Sequence, residues 1–159
     1  MSFTLHPAAA PDSTIARTLA LTVLADVPHA EPMLAALDNA LMRPSEEYRA
    51  VVARDRSAVV GLVVFGEVAG ANGAGRIYLV AVDGGARRRG IALALLDAAC
   101  QELSAQRARF ALIEMPAHAR LADVRQLAER AGFQEEGRAD DYVRDGVPLL
   151  FLRRQLAAS

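Results

Sequence analysis

Apolar side chains in the N-terminal third of the chain follow a short extended run and then a helical spacing. The extended run, about residues 3–5, predicts a strand, and Asp12 or Ser13 can cap a helix that starts after it. One face of that helix carries apolar residues at helical spacing, namely Ile15, Leu19 and Val23. A second helix covers about residues 32–42 and ends before Pro44. Its apolar face consists of Met33, Leu37 and Leu41.

The middle of the chain contains short runs of apolar and β-branched residues, which predict strands. Two of these runs, about residues 48–53 and 58–68, are separated by a short polar turn. A third run, residues 77–82, follows a turn that contains Asn72 and Gly73, and this pair favours the positive φ angles of a hairpin. The pattern therefore predicts two consecutive hairpins, the last strand of which is central in the sheet.

Helical and extended patterns alternate in the C-terminal half. A helix after Gly90 has an apolar stripe formed by Ala92, Leu95, Leu96, Ala99 and Leu103. The next elements are a strand, a helix that ends at Gly132 and two strands, over about residues 109–115, 120–131, 133–142 and 147–153. The order β-α-α-β-β-β-α-β-α-β-β predicts an α/β protein with a mixed sheet and helices on both of its faces.

Composition narrows the class of protein. The chain has 159 residues, of which 53% are hydrophobic, and a formal net charge of -1, which argues against disorder and against a general nucleic-acid surface. No linker divides the chain, so we expect one domain over residues 1–159. The lone Cys100 excludes an internal disulfide, and no apolar run has membrane length. These features predict a soluble cytoplasmic protein with no membrane partner.

The most informative segment, residues 80–96, joins the central strand to the helix after Gly90. A short Gly-rich loop that includes three consecutive arginines, Arg87 to Arg89, lies between them. Free main-chain N–H groups at the start of a helix, together with the helix dipole, form an anion site that commonly binds phosphate. Because Gly90 has no Cβ, a ligand can approach the backbone closely. The segment therefore predicts a site for a phosphate ester.

Two common phosphate-binding motifs are excluded by the residues around this loop. A P-loop has Lys and then Ser or Thr after its second glycine, where this chain has Ile91 and Ala92 and no lysine anywhere. A dinucleotide-binding loop needs Gly-x-Gly-x-x-Gly, which the glycines here do not supply in any register. The pattern that remains is Arg87-x-x-Gly90-x-Ala92 after a strand.

This pattern resembles the Arg/Gln-x-x-Gly-x-Gly/Ala signature of GNAT-family N-acetyltransferases, which hold the pyrophosphate of acetyl-CoA on this loop. The predicted order of elements is also that of the family, so the resemblance covers nearly the whole chain and is tightest over residues 77–133. Gly132-Phe133 and the turn from Tyr142 to Gly146 are similar to segments near the family's C-terminus. The resemblance implies the GNAT fold, a mixed, mostly antiparallel sheet of about six to seven strands flanked by about four helices.

The same resemblance implies acetyl-CoA as the acyl donor. Main-chain groups of Val80, Ala81 and Val82 would pair with its pantetheine arm like an added strand, and one N–H there would polarise the thioester carbonyl. The residues around the pyrophosphate would be Arg87, Arg88, Arg89, Gly90, Ile91, Ala92 and Leu93. Backbone N–H groups would make most of that contact. No metal is needed, and the sequence has no cluster of His and Cys ligands.

Glu114 is the first candidate for the catalytic base. It ends an otherwise apolar strand in Leu-Ile-Glu-Met, which resembles the Leu-Glu-Val segment of ribosomal-protein-alanine acetyltransferases, where the Glu accepts the proton. The alternatives for Glu114 are a solvent-facing side chain or an ion pair with Arg120. Glu67 is the second candidate for the base and is otherwise a surface residue near a turn.

The chain departs from the family at the position of the usual general acid. The tyrosine often found four residues before the helix-ending glycine is Ala128 here, and the asparagine often found earlier in that helix is Leu121. Tyr142 or Tyr78 could donate a proton to the thiolate from another element, or water could do so. His29 could line an acceptor pocket, although a lone histidine in a loop is usually exposed.

Taken with the resemblance, these residues predict an acetyl-CoA-dependent N-acetyltransferase that transfers acetyl to a primary amine of a small molecule or peptide, directly within a ternary complex. The alternative is a non-catalytic module of the same fold that binds or senses acyl-CoA, which the missing tyrosine favours and Glu114 opposes. A nucleic-acid partner for the arginines conflicts with the net charge of -1. Small amines, aminoglycosides, amino acids and peptide N-termini all remain open as acceptors. A homodimer is possible, since GNAT proteins are often dimers.

Overall fold

Seven strands and four α-helices make up the fold, seen in a computed structural model that describes residues 2–156. The strands are β1 (Thr4–Pro7), β2 (Arg49–Asp55), β3 (Ala58–Glu67), β4 (Ala74–Val82), β5 (Phe110–Pro116), β6 (Gln134–Arg144) and β7 (Val147–Gln155). The helices are α1 (Ser13–Val23), α2 (Glu31–Met42), α3 (Ile91–Ala105) and α4 (Ala122–Arg130). None of the helices within residues 2–156 is both long and apolar enough to cross a membrane.

All seven strands lie in one sheet, in the order β1-β2-β3-β4-β5-β7-β6. Neighbouring strands run antiparallel except β4 and β5, which run parallel because α3 carries the chain back between them. These two strands are in register only from the pair Ala74–Phe110 to the pair Ile77–Ile113. Beyond that last pair β4 and β5 separate, while β4 stays paired with β3 and β5 with β7.

Helix α3 covers one face of the sheet, where two glycines allow it to lie close. A Cβ at Gly75 would be 2.7 Å from the Leu103 side chain, and a Cβ at Gly61 would be 3.0 Å from Leu95, so larger residues would push α3 away. Because side chains alternate across a strand, Arg76 points to the opposite face. Helices α1 and α2 pack against β3 and β4 on that face.

The predicted order of elements and the mixed, mostly antiparallel sheet are confirmed, with element ends shifted by a few residues. The predicted apolar face of α1 is wrong in part, because Ile15 is 49% exposed. Ala16 and Ala20 are fully buried beside Leu19 instead. These alanines contribute little to a hydrophobic pattern, yet their small side chains let α1 pack closely, which rotates the buried face by one residue.

Asp12 does not cap α1 with its side chain, and no side-chain hydrogen bond caps that helix. The Asp12 carboxylate instead accepts hydrogen bonds from the Ala9 N–H at 2.8 Å and from Arg54 Nη2, which lies 2.8 and 2.9 Å from its two oxygens. Asp12 is only 3% exposed, so the ion pair offsets the burial of its charge. Asp12 thus occupies the predicted N-cap position, but the predicted side-chain cap is absent and the carboxylate instead ties the N-terminal segment to β2.

Candidate functional site

The separation of β4 from β5 leaves the end of β4 open along one edge, while its other edge stays paired with β3. The Asp83 N–H donates to the Val60 carbonyl of β3 at 2.8 Å. Because main-chain groups alternate in direction along a strand, those of Ala81 also point to β3, whereas those of Val80 and Val82 face the open edge. Of the three residues predicted to bind an extended ligand, two therefore offer their main chain and Ala81 does not.

An apolar cleft, which we call the strand cleft, lies between the separated ends of β4 and β5. Its volume is about 410 Å³, part of it open to solvent. Apolar side chains of α1, α2, β4, β5 and α4 form most of its wall, among them Val80, Ile113 and Val124, together with Leu121 just before α4. Glu114 is the charged residue of its described lining. The cleft can therefore hold a largely apolar, extended chain against the open edge of β4.

A second and smaller cavity, which we call the polar cavity, lies on the α2 side of β4 and has a volume of about 290 Å³ including open solvent. It is lined by His29, Pro32, Met33, Arg76, Tyr78, Glu114 and Leu149. Three of these residues, Met33, Tyr78 and Glu114, also line the strand cleft. The two cavities thus meet at a shared wall that carries one carboxylate and one phenol.

Glu114 is held in an ion pair with Arg76 on the neighbouring strand, with Nη2 and Oε2 2.8 Å apart. Both side chains are half-buried, with exposed fractions of 27% for Glu114 and 30% for Arg76. The predicted alternative of a pair with Arg120 is wrong, because the Arg120 guanidinium contacts the Thr22 carbonyl of α1 instead. The carboxylate is therefore fixed in position at the wall between the two cavities.

Tyr78 is the residue at which β4 begins to separate from β5. Its ring stacks on Tyr48 with centroids 5.3 Å apart, and the Arg76 guanidinium lies 4.7 Å from its centroid on the polar-cavity side. Burial raises the pKa of the Tyr78 phenol to about 12; Tyr48 adds to the rise and Arg76 opposes it. The phenol is therefore protonated at neutral pH, and its hydroxyl, which also interacts with Tyr48, belongs to a side chain that lines both cavities.

Tyr142 lies outside both cavities and is 60% exposed. Its ring meets His29 edge to face, with centroids 5.8 Å apart. His29 has a φ of +61° and lines the polar cavity, so it is not merely a solvent-facing loop residue. Glu67, the second candidate for the base, ends β3 and lines neither cavity.

The loop between β4 and α3 presents its backbone to solvent. Gly90 is the N-cap of α3 with a φ of +78°, a conformation that strains other residues, and a Cβ there would meet nothing within 4 Å. Arg88 also has a positive φ, +62°. The first main-chain bond of the helix runs from the Ala94 N–H to the Gly90 carbonyl at 3.0 Å, and no side chain caps α3. The N–H groups of residues 91–93 have no hydrogen-bond acceptor within residues 2–156, so they can bind an anion.

The three arginines of the loop differ in their contacts. Arg89 is tied to Asp55 of β2, with Nη1 and Oδ2 2.8 Å apart, so its guanidinium is directed away from the helix start. Arg87 is 55% exposed and only 3.9 Å from Asp123, a weak surface contact. Arg88 is exposed. Arg87 and Arg88 are therefore free to reach an anion, whereas Arg89 would first have to leave Asp55.

Apolar residues occupy position 128 in α4 and position 121 just before it, where the resemblance would have a tyrosine and an asparagine. Ala128 is buried with 1% exposure, and Leu121, at 4%, is part of the wall of the strand cleft. Tyr78 instead brings a phenol to this cleft from β4.

Arg76 was not predicted as a site residue from the sequence. The signal was present, because an Arg and a Tyr two residues apart in an apolar strand place both polar side chains on one face. Among residues 2–156 no three His, Cys, Asp or Glu side chains gather as a metal site.

Comparison with known proteins places this geometry in context. Residues 24–156 match the family described as "Acetyltransferase (GNAT) domain". No curated protein sequence gives a significant match. Among solved structures, a GNAT-family protein from Desulfovibrio desulfuricans superposes with a TM-score of 0.86 at 21% identity, covering 98% of this chain and 100% of its own.

Two further structures share the fold at lower identity. The ribosomal-protein-S18-alanine N-acetyltransferase of Escherichia coli has a TM-score of 0.76 at 18% identity, covering 99% of this chain and 96% of its own. A Salmonella typhimurium protein solved with its cofactor acetyl-CoA has a TM-score of 0.77 at 16% identity, covering 100% of this chain and 96% of its own. These likenesses extend over the whole described sheet and its helices.

Proposed function

This chain belongs to the GNAT acetyltransferase family, and from that premise we propose that it transfers an acetyl group from acetyl-CoA to a primary amine of a small molecule or peptide. The observation that carries the proposal is the wall shared by the strand cleft and the polar cavity, on which Glu114 and Tyr78 face both sides. Donor and acceptor would meet at that wall, each entering from its own cavity, and react directly within a ternary complex.

The donor side fits acetyl-CoA by its shape and by its free main-chain groups. The open edge of β4 gives Val80 and Val82 as hydrogen-bonding partners for the amides of the pantetheine arm, in the manner of an added strand. The N–H groups of residues 91–93 and the cap at Gly90 would hold the pyrophosphate, with Arg87 and Arg88 as added positive charge. When bound, acetyl-CoA supplies an activated thioester carbonyl.

Glu114 would serve as the base on the acceptor side. An ammonium must lose a proton before its nitrogen can attack a carbonyl carbon, and the Glu114 carboxylate can take that proton directly or through one water. Arg76 holds the carboxylate in place through the 2.8 Å ion pair. The new N–C bond then forms, the nitrogen loses a second proton to water, and the C–S bond breaks to release the thiolate, while the proton on Glu114 passes to solvent.

Tyr78 would assist the departure of the thiolate. Its pKa of about 12 keeps the phenol protonated at neutral pH, so that its O–H can donate to the sulfur as negative charge develops there. The exposed Tyr142 is less suited to this role, because it lies outside the strand cleft. Water remains the second source of the proton.

Thiol release from acetyl-CoA in the presence of a panel of primary amines tests this function, with the acetylated amine identified by mass spectrometry. The expected result is amine-dependent release that yields one acetylated product per thiol. Binding of acetyl-CoA without transfer to any amine in the panel would favour the alternative, a non-catalytic acyl-CoA-binding module. Ala128, which stands where the family often has a tyrosine, is the feature that favours this alternative.

A further inference from the structure

The polar cavity carries one positive and one negative side chain next to each other. Arg76 Nη2 lies 2.8 Å from Glu114 Oε2, and both residues face the cavity from neighbouring strands. Arg76 Nε is buried and has no hydrogen-bond partner among residues 2–156. A guanidinium has five N–H donors, so a single carboxylate oxygen leaves much of its donor capacity unused. The cavity therefore contains a half-buried cation whose hydrogen-bond donors are incompletely satisfied.

The surroundings of Arg76 restrict which ligand groups could accept hydrogen bonds from its free N–H donors. One face of the guanidinium is turned to the ring of Tyr78, 4.7 Å away, so new polar contacts have to lie in the plane of the group. In that plane the paired N–H groups match the two oxygens of a carboxylate, the geometry that arginine recognises best. A second carboxylate, brought by a ligand, would use the Nη donors that Glu114 leaves free and share the cation with Glu114.

The pair of charges also selects among amines. An acceptor with further ammonium groups, such as a diamine or an aminoglycoside, would bring positive charge against Arg76. A peptide N-terminus has an amide where a free amino acid has a carboxylate, and would leave the guanidinium without its second anion. An amine next to a carboxylate matches both groups, since its nitrogen would lie at Glu114 and its carboxylate at Arg76.

We propose that the acceptor is a free α-amino acid with an apolar side chain, whose carboxylate is bound by Arg76. This assignment rests on the proposed acetyl transfer. Pro32, Met33 and Leu149 supply the apolar part of the cavity wall. The cavity is partly open to solvent, so an acceptor of amino-acid size can enter it from outside.

The test compares three acceptors that differ only at the carboxylate: L-leucine, L-leucinamide and 3-methylbutylamine, each at saturating acetyl-CoA. For the native protein we expect kcat/KM to fall by about 10- to 100-fold from leucine to either of the others, because the free donors of Arg76 then have no second carboxylate to bind. In Arg76→Gln leucine should lose that advantage, so that the three acceptors become similar. Arg76→Lys keeps the charge without the planar fork and should retain only part of the preference.

Arg153→Gln is the matched control, because Arg153 is a half-exposed arginine stacked on Phe110 and lines neither cavity. Its ratio of rates between leucine and leucinamide should equal that of the native protein. Thermal unfolding of each variant verifies that it is folded, and Arg76→Lys provides the comparison if Arg76→Gln is not. Equal rates for leucine and its amide in the native protein would overturn the assignment, as would a preference that survives in Arg76→Gln.

Calorimetry separates failure of this assignment from failure of the proposed function. Acetyl-CoA binding and leucine binding in the presence of free coenzyme A are measured independently. Binding of leucine that Arg76→Gln abolishes, in a protein that transfers no acetyl group, would contradict the proposed function and support the amino-acid site. Acetyl transfer to amines without any measurable binding of leucine would support the function and overturn the amino-acid site.

Discussion

Ile77 lies opposite Ile113 in the last pair that β4 and β5 share. Up to that pair the two strands form an ordinary parallel ladder, and beyond it the main-chain groups of Val80 and Val82 face an open edge. Unpaired main-chain groups beside an apolar cleft are costly unless water or a ligand satisfies them. The separation at Ile77 and Ile113 therefore positions a ligand next to Glu114, one residue beyond Ile113 in β5.

Gly90→Val should weaken acetyl-CoA binding by at least about tenfold, because a side chain would project from the start of α3 where the pyrophosphate is expected. The positive φ of +78° also strains any β-branched residue, at a cost of about 1–3 kcal/mol in stability. Calorimetric titration of acetyl-CoA measures the loss of affinity.

Gly70→Val is the control for backbone strain, because Gly70 has a φ of +79° with open space around its Cβ position, as Gly90 has. It lies in the turn before β4, at the end of that strand remote from the start of α3. It should lose comparable stability and keep its affinity for acetyl-CoA. Equal affinities for the two variants would contradict the assignment of the loop.

Glu114→Gln should lower kcat for amine acetylation by about 10²- to 10⁴-fold, the usual contribution of a positioned base, and leave acetyl-CoA binding unchanged. Glu67→Gln is the matched control, since Glu67 lines neither cavity and should keep native rates. Steady-state kinetics at saturating acetyl-CoA measure both. If Glu67→Gln were the slow variant, the base would have been assigned to the wrong strand.

Tyr78→Phe should lower kcat by about 10- to 100-fold through loss of the hydrogen bond to the leaving thiolate, while Tyr142→Phe keeps the native kcat. An absorbance titration of the phenols checks that Tyr78 is the tyrosine with the raised pKa. The phenol that ionises near pH 12 should be absent from Tyr78→Phe and present in Tyr142→Phe. An unchanged kcat in Tyr78→Phe would leave water as the proton donor.

Cys100 should resist alkylation in the folded protein at pH 8 and react once urea unfolds it. Burial raises the pKa of this thiol to about 11, with Asp97 adding to the rise and Arg154 opposing it. Because the folded-state pKa lies above the unfolded value of 9.0, the thiol stabilises the fold below about pH 9, and that contribution is lost as the pH rises towards 11. Urea unfolding at pH 8 and 10.5 should therefore show a smaller loss of stability for Cys100→Ala than for the native protein; an equal loss would contradict the buried thiol.

The sequence pattern was sufficient for the elements and for the loop before α3, because both depend on local spacing. The apolar run of β4, the stripe of α3 and the glycine at position 90 are all local signals. The exposed Ile15 shows the limit of hydrophobic periodicity, since packing of Ala16 and Ala20 against α1's neighbours decided which face is buried.

Contacts between strands distant in sequence could not be predicted. The ion pair of Arg76 with Glu114 depends on the parallel register of β4 and β5, which is set by the length and packing of α3 rather than by either strand. The position of Tyr78 at the shared wall depends on where these strands separate. The sequence put Tyr142 first as the catalytic tyrosine, with Tyr78 as the other candidate, and only the three-dimensional arrangement favours Tyr78.

Amide hydrogen exchange with and without acetyl-CoA tests the proposed acetyl-CoA site most directly. It measures the protection of the main-chain N–H groups at the end of β4 and at the start of α3, on which the proposed site depends. Binding should slow exchange by about tenfold or more at Val80, Val82 and residues 91–93, and leave β1 and the β6–β7 hairpin unchanged. Protection elsewhere in the chain, with the end of β4 and the start of α3 unaffected, would contradict the proposed site for acetyl-CoA.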